Sequence, residues 1–276
     1  MDVIEIFKVI ILGIVEGITE WLPVSSTGHM YLMDEFWPLA LRDNFKELFF
    51  VVIQFGAILA VIVTFWNNLC PIGIKKGLTL KKDVCALWLK VAVACIPTAV
   101  LGFLLDDFLE KYLYNGVVIA LMLVGYGVAF ILVENWNKHR LPRIRSVSEI
   151  DYKTAIAFGL FQSLAMIPGT SRSGATIVGA LLIGVSRSTA AEFTFFLAIP
   201  TMFGASLLKL VKFFLAGNSL FGGEVTALFI GMAVAFAVSL LAIHFLMNFV
   251  KKHNFKIFGW YRIALGVAVL ILFWLY

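Results

Sequence analysis

Two glutamates lie four residues apart in an apolar stretch near the N-terminus. Glu16 and Glu20 interrupt a hydrophobic run that ends at Pro23. On a helix, residues i and i+4 share one face, and a carboxylate inside an apolar membrane segment is costly. We therefore predict a functional pair that binds a divalent cation, Mg²⁺ or Ca²⁺, or that handles a proton. The alternative is a shallow helix whose carboxylates only reach water at a membrane surface.

A polar loop follows directly. Its members are small hydroxyl residues, a glycine and a histidine: Ser25, Ser26, Thr27, Gly28 and His29. Such a run before a new helix offers backbone N–H groups and hydroxyls that can cradle a phosphate. Ser26 is predicted to act as a nucleophile or a phosphate ligand, and His29 as a nearby base, acid or phosphate donor. The alternative is an ordinary helix cap with a histidine at the helix end.

A second polar break contains a permanent cation. Arg172 lies within 168–176, Pro-Gly-Thr-Ser-Arg-Ser-Gly-Ala-Thr, between two apolar stretches. A guanidinium with neighbouring N–H groups matches phosphate oxygens in geometry and charge. We predict that Arg172 binds a phosphate. The alternative is a side chain that extends to the membrane surface.

Membrane helices must position these residues. Of the 276 residues, 61% are hydrophobic and 14% are charged, and the mean hydropathy is +0.97. A soluble domain carries about 25% charged residues, so the composition argues against a soluble enzyme, a disordered protein and a nucleic-acid binder. The apolar residues form eight segments typical of a polytopic membrane protein. Their approximate bounds are 3–22, 46–66, 84–105, 115–135, 154–167 (continuing as 173–185), 190–214, 225–249 and 258–275.

The two broken segments resemble each other. Residues 13–28 parallel 159–174 at an offset of about 146 residues, and 55–57 parallel 203–205 further on. Several matches in the same order indicate a duplicated unit. Interrupted apolar segments at corresponding positions of two halves point to a binding site at the repeat interface.

Loop charges distinguish between two topologies. Lys and Arg are concentrated in loops 67–83, 136–153 and 250–257, whereas 106–114 is mainly acidic and 215–224 contains neither Lys nor Arg. If all eight segments crossed the membrane, one basic loop would lie opposite the other two. If both broken segments are re-entrant hairpins, all three basic loops lie on the cytoplasmic side, as the positive-inside rule favours.

The predicted fold is therefore an all-α polytopic membrane protein with two inverted-topology repeats. Each repeat consists of a re-entrant helical hairpin and three transmembrane helices, which gives six spans and two hairpins. Because a break that faced lipid would leave peptide groups unpaired, the two breaks should face each other across a polar cavity. The expected bounds are 1–276 for the single membrane domain, 1–136 for the first repeat with its hairpin at about 3–34, 137–152 for a basic cytoplasmic linker, and 153–276 for the second repeat with its hairpin at about 154–186.

The two motifs resemble those of a known family. Residues 16–29, Glu-Gly-Ile-Thr-Glu-Trp-Leu-Pro-Val-Ser-Ser-Thr-Gly-His, and residues 168–176 look like the signatures of bacterial undecaprenyl-diphosphate phosphatases, the BacA/UppP family. The resemblance covers nearly the whole chain, including 191–193 and the pair Tyr261-Arg262. It implies hydrolysis of undecaprenyl diphosphate to undecaprenyl phosphate and inorganic phosphate in the bacterial cytoplasmic membrane. It further implies that the reaction recycles the lipid carrier for peptidoglycan, and that overproduction of the enzyme confers bacitracin resistance.

The resemblance also implies a divalent-cation requirement and an active site that is reached from the outer side. By position, it implies catalytic roles for Glu16, Glu20, Ser26, His29 and Arg172, with the two glutamates as metal ligands. The resemblance and the hydroxyl and N–H groups of the two polar breaks together indicate which residues bind phosphate. They are Ser25, Thr27, Gly28, Ser171, Arg172, Ser173 and Thr176.

Several alternatives stay open at this point. Ser26 or a water molecule could attack the phosphorus atom. A lipid-phosphate flippase that uses the same site is the competing function, because inverted repeats with broken helices are also a transporter architecture. The expected partners are the lipid substrate and membrane lipid, without nucleic acid, and a homodimer is left open. Arg187 and Glu192 are interpreted as an interfacial ion pair.

Overall fold

The computed structural model describes residues 1–73 and 79–275, and its described part is almost entirely α-helical. One short antiparallel hairpin is present there, β1 (Ile72–Gly73) with β2 (Thr79–Leu80). Lys75 and Lys76 of the predicted basic loop lie outside the described residues. The helices are α1 (Val3–Thr19), α2 (Ser26–Phe36), α3 (Asp43–Val52), α4 (Gln54–Thr64), α5 (Trp66–Leu69), α6 (Lys82–Leu113), α7 (Gly116–Trp136), α8 (Tyr152–Ser163), α9 (Arg172–Leu182), α10 (Arg187–Leu215), α11 (Gly222–Lys252) and α12 (Lys256–Leu275).

Six helical stretches of the described chain are long and apolar enough to cross a membrane. They are Asp43–Thr64, which joins α3 and α4, Lys82–Leu105, Gly116–Trp136, Arg187–Leu215, Gly222–Lys252 and Lys256–Phe273. A hydrocarbon core about 30 Å thick requires about 20 such residues in a helix. The protein is therefore an all-α, multi-pass membrane protein, as predicted. The four remaining longer helices, α1, α2, α8 and α9, flank the two polar breaks.

Glycines set how closely the helices around these breaks approach each other. A Cβ atom on Gly159 of α8 would lie 2.1 Å from the carbonyl oxygen of Ala94 on α6. A Cβ atom on Gly13 of α1 would lie 2.9 Å from the carbonyl oxygen of Gly231 on α11. Such small residues let helix backbones pack closely inside a membrane. As a result, α1 packs along α11, α8 along α6 and α7 along α12, and these contacts fix where α1 and α8 end.

The predicted acidic loop at 106–114 is wrong in its extent, because α6 continues to Leu113. The charged residues there end the apolar window, but Leu, Glu and Lys are strong helix formers. The helix therefore extends beyond its membrane-crossing part, Lys82–Leu105. Only a short turn separates it from α7, which begins at Gly116 and is capped by the Asn115 side chain.

Arg187 and Glu192 do not form the predicted ion pair. Arg187 Nε donates to Glu134 Oε1 at 2.8 Å, and its Nη2 donates to the other carboxylate oxygen. Glu134 also accepts a hydrogen bond from the backbone N–H of Phe255 at 2.9 Å, so it links α7, α10 and the loop before α12. Glu192 instead accepts a hydrogen bond from Asn68 at 3.1 Å. The prediction was wrong because residues five apart on a helix do not share a face.

Candidate active site

The two polar breaks have the same local geometry. Ser25 has a φ of 75° and Ser171 a φ of 71°, and they are the two non-glycine residues with positive φ in the described chain. Each side chain accepts a hydrogen bond from a glycine N–H three residues on, Gly28 at 3.3 Å and Gly174 at 3.1 Å. A non-glycine residue in this conformation costs about 1–3 kcal/mol and is typical of functional sites. The strained serines therefore begin α2 and α9 in the same way, and a helix N-terminus is a site that favours an anion.

Glu20 joins the two breaks. Its Oε1 accepts hydrogen bonds from Arg172 Nε at 3.3 Å and Nη2 at 3.2 Å. Its Oε2 accepts a hydrogen bond from the Ser26 hydroxyl at 2.7 Å, and its backbone carbonyl accepts one from the Ser173 hydroxyl at 3.2 Å. Residues about 150 positions apart in the chain thus meet in one buried network.

Arg172 is held in place but still has donors to offer. Its Nη1 donates to the carbonyl oxygen of Thr194 at 2.9 Å. Its guanidinium lies 5.9 Å from the ring centre of Trp21, which packs edge-on against Phe195 at 5.2 Å. A guanidinium has five N–H donors, and the described contacts to Glu20 and Thr194 use three of them. One N–H on each terminal nitrogen is left, and such a pair can bind two oxygens of one phosphate.

Glu16 lies beside this network with an orphaned oxygen. The side chain is buried, and Oε1 has no hydrogen-bond partner among the described residues. An unsatisfied buried carboxylate oxygen is unfavourable unless another group binds it. No set of three His, Cys, Asp or Glu side chains in the described chain is grouped to hold a metal by itself. Two carboxylates completed by water and phosphate oxygens are nevertheless what Mg²⁺ uses at phosphoryl-transfer sites, so Glu16 and Glu20 fit a hard divalent cation.

His29 makes its described hydrogen bonds outside this network. Its Nδ1 lies 2.7 Å from the carbonyl oxygen of Ser25, and its Nε2 lies 2.7 Å from the Tyr261 hydroxyl. A carbonyl oxygen only accepts, so in the neutral imidazole Nδ1 carries the hydrogen and Nε2 accepts one from Tyr261. The two rings are stacked with centroids 5.7 Å apart. The described hydrogen bonds therefore direct His29 towards α12 and not towards Ser26.

Comparison with known proteins decides the family. The model of the bacitracin resistance protein BacA family matches residues 9–268. The chain belongs to the BacA family. Similar proteins include the undecaprenyl-diphosphatase of Enterococcus faecalis, which is 61% identical over 99% of this chain and 98% of that protein. Undecaprenyl-diphosphatase 1 of Clostridium acetobutylicum is 57% identical over 99% of both chains, and the undecaprenyl-diphosphatase of Desulfitobacterium hafniense is 57% identical over 99% of this chain and 98% of its own.

This membership confirms the resemblance seen in the sequence. The other residues predicted to bind phosphate lie at the starts of α2 and α9 of this BacA protein. The Ser171 and Ser173 hydroxyls lie 3.2 Å apart at the start of α9. Thr27 and Gly28 lie in the first turn of α2. Thr176 is fully buried, and its hydroxyl donates to backbone carbonyls of α9 and accepts a hydrogen bond from Thr194 at 2.9 Å. These bonds tie α9 to α10, so the predicted phosphate contact of Thr176 stays a prediction.

Three parts of the BacA site were not assigned from residue types. The Thr194 carbonyl has no signal in the sequence, because any residue supplies a backbone oxygen. Tyr261 and Arg262 entered only through the family resemblance. Arg262 carries the same kind of signal that singled out Glu16, a charged residue inside an apolar segment. It was missed because Arg262 lies near the start of α12, close to a basic loop.

Proposed function

We propose that this BacA protein hydrolyses undecaprenyl diphosphate to undecaprenyl phosphate and inorganic phosphate. The reaction recycles the lipid carrier for peptidoglycan synthesis and confers resistance to bacitracin. The observation that carries the proposal is the Glu20 network, in which Arg172 and Ser26 from distant parts of the chain meet beside two helix N-termini. Full-length relatives at 57–61% identity named undecaprenyl-diphosphatase support the choice of substrate.

The terminal phosphate binds between the starts of α2 and α9. The two remaining N–H groups of Arg172 contact two of its oxygens, and the backbone N–H groups of both helix starts bind others. Ser173 donates its one hydroxyl hydrogen to the Glu20 carbonyl oxygen, so Ser171 and Ser173 bind a phosphate oxygen only by exchanging their present hydrogen bonds. The Arg172 and backbone donors are fixed before the substrate arrives, so they need little reorganisation as charge develops in the transition state.

The nucleophile lies next to Glu20. The 2.7 Å hydrogen bond from Ser26 to Glu20 Oε2 places this carboxylate to accept the hydroxyl proton. Ser26 Oγ then bonds to the terminal phosphorus, the bridging P–O bond breaks, and undecaprenyl phosphate leaves. Water then attacks the phosphoserine, the Ser26 O–P bond breaks, Glu20 returns the proton to Ser26 Oγ, and inorganic phosphate is released. His29 is hydrogen-bonded to Tyr261, and its predicted role as a base, an acid or a phosphate donor stays a prediction.

Glu16 and Glu20 are the residues that would hold the divalent cation. When bound, the cation would neutralise charge on the phosphate oxygens. The orphaned Glu16 Oε1 supports this assignment, since it lacks a described protein partner.

We also propose the finer topology, with re-entrant hairpins at about 3–34 and 154–186 inside inverted repeats 1–136 and 153–276. The matched cap geometry of the two breaks supports it, and so does the reciprocal packing: α1 of one repeat packs on α11 of the other, while α8 packs on α6. Basic loops lie in the cytoplasm, including the 137–152 linker, and the site opens to the outer side of the bacterial cytoplasmic membrane. The lipid tail enters laterally between helices.

Phosphate release from undecaprenyl diphosphate by the purified protein in lipid nanodiscs tests the function. The wild-type protein should release phosphate, and EDTA, Glu20→Ala and Arg172→Ala should each lower the rate of release severely. Arg140→Ala is the matched control, because Arg140 is exposed and stacks on Trp136 away from the site. If folded wild-type protein binds the lipid but releases no phosphate, the function is wrong and transport becomes the better account.

A further inference from the structure

Arg262 of α12 lies between the two polar breaks with no exposed surface. Its Nη1 donates to the carbonyl oxygen of Pro23 in the first break at 3.2 Å. Its Nη2 donates to the carbonyl oxygens of Gly169 at 2.8 Å and Thr170 at 2.9 Å in the second break. A weaker contact at 3.4 Å reaches the carbonyl oxygen of Met122 on α7. One guanidinium therefore bridges both breaks.

These carbonyl oxygens lie where the helical hydrogen-bond pattern is interrupted. Inside a membrane protein such groups need a partner, because neither lipid nor bulk water can satisfy them. A planar fork with five donors can reach carbonyls on both sides at once, whereas the single ammonium of a lysine cannot. Arg262 therefore adds a second link between the two breaks, beside the contacts that Glu20 makes with Arg172 and Ser173.

The charge of Arg262 has no described counter-ion. No carboxylate of the described chain forms an ion pair with it, in contrast to Arg172, which contacts Glu20 at 3.2 Å. Its Nη1 lies 3.2 Å from where a Cβ atom on Gly174 would be, which places the cation against the first turn of α9. A buried cation without a counter-ion is unfavourable until an anion arrives nearby. A diphosphate at the two helix starts is such an anion.

We propose that Arg262 is a positioning residue that holds both phosphate-binding loops in register and supplies a fixed positive charge behind them. It acts through the loops and does not touch the reacting atoms. The neighbouring Tyr261 strengthens the same link, because its hydroxyl bonds His29 of the first hairpin at 2.7 Å. The diphosphate as the bound anion rests on the proposed phosphatase function, whereas the loop-holding role does not.

Two substitutions separate the fork from the charge. Arg262→Lys keeps the charge but loses the bridge, so kcat should fall at least tenfold while KM for undecaprenyl diphosphate stays within threefold. Arg262→Gln keeps some hydrogen bonding but loses the charge. The Kd of inorganic pyrophosphate should therefore rise at least tenfold, measured by displacement of labelled pyrophosphate from the purified protein. Arg140→Lys and Arg140→Gln are the controls and should change neither quantity.

Hydrogen–deuterium exchange reads the loops without any assay of hydrolysis. Arg262→Lys should raise exchange in both 24–28 and 169–174 and leave α4 and α11 as in the wild type. If a folded Arg262→Lys protein shows wild-type exchange in both loops, the positioning role is overturned. If pyrophosphate binds Arg262→Gln as tightly as the wild type, the charge role is overturned. If the wild type releases no phosphate but the exchange and binding results hold, only the proposed phosphatase function fails.

Discussion

Replacement of Arg172 by lysine tests the geometry of the phosphate site most sharply. Arg172 holds Glu20 through Nε and Nη2 and the Thr194 carbonyl through Nη1, and it keeps one further N–H on each terminal nitrogen. A lysine retains the positive charge but offers its donors from a single point. It cannot contact Glu20, Thr194 and two phosphate oxygens together.

The expected loss follows from these contacts. A fixed donor that meets transition-state charge contributes about 2.7–4 kcal/mol, or roughly 10²–10³ in kcat. Arg172→Lys should forfeit at least one of the two phosphate contacts, so kcat should fall about 10²–10³-fold. Arg172→Ala should be about tenfold slower again, since it also removes the charge and leaves Glu20 without its guanidinium partner.

The assay is the initial rate of phosphate release from saturating undecaprenyl diphosphate in nanodiscs, with circular dichroism as the check on folding. Arg140→Lys provides the control for an arginine outside the site, and its rate should match the wild type. If folded Arg172→Lys stays within threefold of the wild-type kcat, the bidentate contact proposed for Arg172 is wrong.

Three further outcomes are expected. Ser26→Ala should lower kcat at least 10³-fold and abolish the trapping of phosphoserine on acid quench. The control Ser148→Ala, at an exposed serine, should change neither result. Rapid turnover in Ser26→Ala would instead favour direct attack by water. Gly159→Ala should lower the thermal midpoint, because it overpacks the α8–α6 contact at a cost of about 1–3 kcal/mol. The control Gly204→Ala, with open space around the added methyl group, should leave the midpoint unchanged or slightly raised. Equal midpoints in the two variants would contradict the close packing. Arg187→Ala should reduce the free energy of unfolding by about 2 kcal/mol, because buried Glu134 loses two charge-assisted hydrogen bonds, and an unchanged denaturation curve would contradict that role.

The approach of the two polar breaks could be predicted because the signals were local and strong, whereas the direct contact of Glu20 with Arg172 was not predicted. Charges inside apolar segments are rare and costly, and the repeated break indicated which two segments face each other. The six membrane-crossing stretches followed from the apolar segments together with the loop charges, which favoured six spans over eight. Each of these inferences depends on residue type and on spacing along the chain, which the sequence carries directly.

The orientation of His29 could not be predicted in the same way. Its ring direction depends on Tyr261, which lies 232 residues away along the chain. The sequence placed His29 close to Glu16 and Glu20 in number, but a side chain at a helix start can turn towards any neighbour. The true partner of Arg187 was also hidden from the sequence, since Glu134 lies on another helix 53 residues away.

A double-mutant cycle across the two polar breaks tests the central claim, that both breaks form one phosphatase site. Glu16→Gln beside the first break and Arg172→Lys in the second are measured singly and together by phosphate release from undecaprenyl diphosphate. Residues that act as a unit on one transition state are strongly non-additive. The account predicts that the double variant is no more than about tenfold slower than the slower single variant. Rate losses that simply multiply, in folded proteins, would contradict a shared site.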